Sequence, residues 1–77
     1  MKGEVMKMEV GTMVTARFSG NYIDFIRHAF TKSLISGVHV NILNPSVRLY
    51  NLFMVVAAPG VEELATAIKE FKGEVVL

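Results

Sequence analysis

Two histidines, one aspartate and no cysteine limit the chemistry open to this chain. Without cysteine there is no disulfide, no thiolate metal ligand, no iron–sulfur site and no thiol nucleophile. His28 and His39 are not at metal-ligand spacing, and no carboxylates gather near either. Ser19, Ser33, Ser36 and Ser46 lack the context of a nucleophile elbow. The stretches "SGN" and "APGVEE" hold one glycine each, too few for a phosphate-cradling loop. The residues therefore predict no catalytic centre, no metal and no cofactor. What remains is the stretch "VHVNILNP", residues 38–45, with His39 and Asn41 on one face of an alternating run. A strand-borne Asn carries donors and an acceptor, which suits the carboxylate and ammonium of an amino acid. Leu43 shares that face, and Met13 and Met54 could supply a soft, adaptable wall. A plainer alternative is that polar residues there guard a sheet edge.

The elements that must carry these residues follow from periodicity. Met6 to Phe18 alternates, with Met6, Met8, Val10, Thr12, Val14, Ala16 and Phe18 on one face, and reads as a long first strand. Gly11 marks a bulge in it or the true start of the core strand. Asn21 suits an N-cap, with Asp24 as capping-box partner. Tyr22, Ile23, Ile26, Ala29, Phe30 and Leu34 form a stripe on a helix from Tyr22 to Ser36, with Gly37 at its C′ position. The second strand is Val38 to Leu43, and "NPS" turns into a third strand from Arg48 to Ala58. Val61, Leu64, Ala65, Ile68 and Phe71 give a second helix to Lys72, capped by Gly73 and followed by the short strand "EVVL".

Strand, helix, strand, strand, helix, strand in one 77-residue domain predicts an α+β fold. The form expected is a ferredoxin-like βαββαβ sandwich, a four-stranded antiparallel sheet with two helices on one face. The third strand has two apolar faces, so it should be central. If Tyr50, Leu52, Met54 and Val56 point away from the helices, they and Met13 leave an apolar patch in water. Monomers rarely expose a large one, so a second copy of the chain is the expected cover. Composition agrees, at 52% apolar and 19% charged.

Net charge is +1, with basic and acidic residues interleaved, so nucleic acid is not the expected partner. Sheet-face RNA readers also need aromatics on the first and third strands, and the first offers only Phe18 at its far end. The longest apolar run is far short of the roughly 20 residues that span a bilayer. No signal-peptide pattern opens the chain, so a cytoplasmic location is expected.

The succession "RFSG", helix, "GVHVNIL", apolar strand, "GVEELATAIKEF" and a valine-rich end resembles the NIL domain across Arg17 to Leu77. The motif of that name is Asn41-Ile42-Leu43, and Phe18 and Gly20 match the family's Phe-x-Gly. The link "NPSVRLYN" departs from the family in being short and lacking a glycine. The resemblance implies an ACT-like regulatory domain of the kind found at the C-terminus of methionine-importer ATPase subunits, where it dimerises and binds methionine. Carried over, Asn41 becomes a ligand contact and Ile42 and Leu43 packing residues. The resulting expectation is a non-enzymatic, homo-oligomeric module that binds a small molecule such as methionine. The alternative is a structural module that docks a partner protein on its open sheet face.

Overall fold

The computed structural model describes residues 10–57 and 61–76. The elements are β1 (Met13–Ser19), α1 (Tyr22–Thr31), β2 (Ile35–Asn44), β3 (Leu49–Val56), α2 (Val61–Glu70) and β4 (Glu74–Val76). The four strands form one sheet in the order β2-β3-β1-β4, and every neighbouring pair is antiparallel. Met6 to Glu9, expected to begin the first strand, lie outside the described residues, as do Pro59 and Gly60, expected to stop the third. Among the described residues, Gly11 (φ +88°) and Thr12 both bond to Val56, a two-against-one arrangement just ahead of β1.

Alternation along β1 puts Val14, Ala16 and Phe18 in the core. Residues directly opposite on neighbouring strands share a face. Val14 opposes Met54, Ala16 opposes Leu52 and Phe18 opposes Tyr50, so the same face of β3 is drawn inward. Leu52, Met54 and Val56 join Phe25, Ala29, Leu64, Ala67 and Ile68 in a single buried cluster that ties both helices to this face. This corrects the expected open-face patch: Leu52 and Met54 are fully buried and Val56 is 1% exposed. Tyr50 also lies on the helix side, packed on Tyr22 with ring centroids 4.6 Å apart. Two apolar faces on β3 do not reveal which is inside, and the pattern of β1 decides it through the register.

Helix α1 buries Phe25 and Ala29, with Tyr22 and Ile26 packed beside them. That is the spacing i, i+3, i+4, i+7 starting at Tyr22. The expected stripe was displaced around the helix, since Ile23 and Phe30 are exposed. The helix also ends earlier than expected. Ser33 takes the left-handed conformation (φ 58°) instead of Gly37. The Leu34 N–H donates to the Ala29 carbonyl at 2.8 Å, and the Ser33 N–H to that of Phe30 at 3.0 Å. These are the two bonds of a Schellman motif, and buried Leu34 anchors it. Gly37 therefore belongs to β2. Asn21 is left-handed as well (φ 54°) and makes no side-chain cap, because capping needs an extended residue at that position. Asp24 sits 3.9 Å from Arg27 on the exposed helix surface.

Helix α2 closes in the same way, with Lys72 (φ 63°) as the left-handed residue and the Gly73 N–H donating to the Ile68 carbonyl. Gly73 serves another need than the expected cap. A Cβ there would lie 2.5 Å from the Phe18 ring, so any other residue would force the ring to shift. Among the described residues no helix is long and apolar enough to cross a membrane.

Candidate functional site

The face of the sheet away from the helices is read off the registers. Met13, Thr15 and Arg17 of β1 stand opposite Val55, Phe53 and Asn51 of β3. On the far side of β3 these meet Gly37, His39 and Asn41 of β2. On the far side of β1, Thr15 meets Val76 and Arg17 meets Glu74 of β4. Three rows therefore cross the sheet. Glu74, Arg17, Asn51 and Asn41 form a wholly polar row. Val76, Thr15, Phe53 and His39 form a mixed one. Met13, Val55 and Gly37 form an apolar one.

The two central members of the polar row are bonded to each other. The Arg17 Nε–H donates to Asn51 Oδ1 at 3.3 Å, in a partly buried bond between the two central strands. That bond fixes the guanidinium plane and leaves its outer N–H groups for a further acceptor. With Asn51 Oδ1 occupied as acceptor, its amide nitrogen can donate as well. Arg17 has no ion-pair partner among the described residues, although Glu74 stands opposite it. One row away, the His39 and Phe53 rings lie 6.3 Å apart at 35°. The arrangement offers hydrogen-bond donors to a carboxylate, with an apolar surface beside them.

Of the expected site residues, His39 and Asn41 are exposed on this face. Met13 is there too, 60% exposed. Met54 is not, because its register partner Val14 turns it into the core. Leu43 falls at an irregularity between Ile42 and Asn44, has no partner on β3 and is exposed. Ile42 opposes Tyr50 on the helix side, yet stays 58% exposed at the sheet edge and packs little. The expected interface residues Tyr50, Leu52 and Val56 all lie under the helices. Sequence reasoning missed Arg17, Asn51 and Glu74 as members of the site. Asn51 carried the same signal as Asn41, a polar residue inside an apolar strand, but the apolar majority of β3 masked it.

Other features lie apart from this row. A cleft of about 420 Å³ at the start of α1 is bounded by Tyr22, Asp24, Arg48 and Tyr50. Another of about 380 Å³ lies between the helices and holds His28, Lys32, Glu63 and Glu70. His28 packs on Phe71 at 5.3 Å and is on the opposite side of the sheet from His39. Neither cleft is lined by Arg17, His39, Asn41 or Asn51. Among the described residues no three His, Asp or Glu side chains converge to hold a metal ion.

Comparison with protein-family models, with curated proteins and with solved structures found no match.

Proposed function

We propose that this chain is a non-enzymatic regulatory module that binds a small molecule, an amino acid such as methionine, on the open face of its sheet, and that it acts in the cytoplasm as a homodimer or larger assembly. The observation that carries this reading is the Arg17–Asn51 hydrogen bond beside Asn41. It arms the middle of an exposed sheet face with oriented donors that no carboxylate among the described residues engages. The strand order, read from the other edge as β4-β1-β3-β2, supports a ferredoxin-like sandwich, and with it the NIL-like, ACT-like reading.

A sheet face is too flat to enclose a ligand, whereas small-molecule sites are concave and bury most of the ligand surface. A second copy of the chain supplies the missing wall. The apolar contribution to that contact is smaller than the sequence suggested, because Leu52, Met54 and Val56 are spent on the core. It comes instead from Met13, Val55 and Phe53, flanking the polar row.

The test is thermal shift against the twenty amino acids, with sedimentation of the same samples. Ligand at 100 times its dissociation constant adds about 2.7 kcal/mol of stability. At least one amino acid should raise the midpoint, Asn41→Ala should abolish the rise, and the responding species should be a dimer or larger. A stable monomer with no response to any amino acid would refute the reading. An assembly that responds to none of the amino acids would favour a second reading, in which exposed Met13 and its apolar neighbours dock a partner protein.

A further inference from the structure

We infer that the polar row reads both charges of a free α-amino acid, Arg17 taking the carboxylate and Glu74 the ammonium group. This inference rests on the binding reading above and goes further, by naming the two residues that read the ligand's charges.

Arg17 and Glu74 are direct partners across the β1–β4 ladder, so both side chains rise from the open face. Directly opposed residues in an antiparallel pair stand about 4.5–5.5 Å apart at Cα. Two opposite charges at that spacing would ordinarily be expected to close on each other. Here they do not: Arg17 is bonded sideways to Asn51, on the strand away from Glu74, and Glu74 is exposed. The row thus presents a cationic fork and an acceptor carboxylate side by side, each with unspent hydrogen-bonding capacity. A free α-amino acid bears its two charges on one carbon and so displays them at short separation. Its carboxylate fits the outer guanidinium N–H groups together with the Asn51 amide, a charge-assisted contact in which Arg is suited to bidentate binding. Its ammonium group then falls toward Glu74. The remaining substituent is directed along the face, over Thr15 and the half-buried Phe53 and Val55 toward Met13. That strip suits an unbranched apolar side chain and, among the described residues, holds no carboxylate, lysine or arginine to pair with an acidic or basic one.

The two charge contacts make a prediction that a generic anion site or a generic apolar patch does not. Blocking either ligand charge should cost affinity, and each loss should depend on its own residue. Calorimetric titration would use L-methionine, N-acetyl-L-methionine and L-methioninamide, or the same derivatives of whichever amino acid gives the largest thermal shift. The wild-type chain should bind the free amino acid at least about tenfold more tightly than either derivative, as expected for loss of one charge-assisted contact. Glu74→Gln should erase the discrimination against the N-acetyl compound and keep that against the amide. Arg17→Gln should do the reverse. Glu74 is exposed on a three-residue strand, so its variant tests the inference even if Arg17→Gln fails to fold. Equal binding of all three compounds by the wild-type chain would overturn the inference, as would unchanged discrimination in Glu74→Gln. If an amino acid binds through Asn41 while the two variants behave as wild type, the binding reading stands and the two-charge clamp falls. If no amino acid binds at all, both fall together.

Discussion

The two faces of β3 are alike in composition and opposite in fate. Leu52, Met54 and Val56 are buried to within 1%, whereas Asn51, Phe53 and Val55 are only half-buried. Hydrophobicity along the strand does not separate them. The separation is imposed by β1, where Val14, Ala16 and Phe18 alternate with Met13, Thr15 and Arg17. The lesson is that a central strand takes its orientation from the neighbour whose two faces differ most.

That contrast can be broken most strongly on the helix side. Leu52→Ala should cost about 2–5 kcal/mol in urea unfolding, as buried leucine truncations do. Val55→Ala, one face away on a half-buried position, should cost about 1 kcal/mol, near the centre of the range for ordinary substitutions. Comparable losses at the two positions would mean that the open face is covered in solution, and would point to the second copy. The next largest effect belongs to two glycines. Gly73→Ala drives a methyl into the Phe18 ring and should cost about 1–3 kcal/mol through overpacking. Gly37→Ala points a methyl into open space on the other face and should stabilise by about 0.4–1 kcal/mol through the unfolded state. Asn51→Ala should cost about 0.5–1.5 kcal/mol through the lost Arg17 bond, with a larger effect on ligand response than on stability. The smallest change is expected on the outer surface of α1. There Asp24→Asn should alter the denaturation midpoint by less than about 0.5 kcal/mol equivalent, since the Arg27 pair is open to water.

The alternation of β1, the order of the elements and the buried stripe of α2 were all legible in the chain, because each is a property of one segment. The phase of α1 was not. Ile23 and Phe30 are apolar but face solvent, and Phe25, fully buried between the rings of Phe18 and Phe71, looked no different from them in sequence. Glycine misled twice. Serine and lysine occupy the left-handed positions after the two helices, while Gly37 lies in a strand and Gly73 makes room for a ring. At the candidate site, the shared face of His39 and Asn41 was visible from parity. Their neighbours Arg17, Asn51 and Glu74 were not, because a row across a sheet depends on register. In β2 that register shifts twice, between Ile35 and Gly37 and between Ile42 and Asn44.

The passage of Gly73 against Phe18 has a consequence for how the protein is made. The ring touches Phe25 close by in sequence, and it also lies against a residue near the far end of the described chain. Contacts between such distant segments must wait for loop closure and slow folding accordingly. During synthesis, the first strand and helix would leave the ribosome before the segment that closes on Phe18 has been made. The core would seal only once residue 73 had emerged, so a stalled chain lacking that residue should be a substrate for chaperones and proteases.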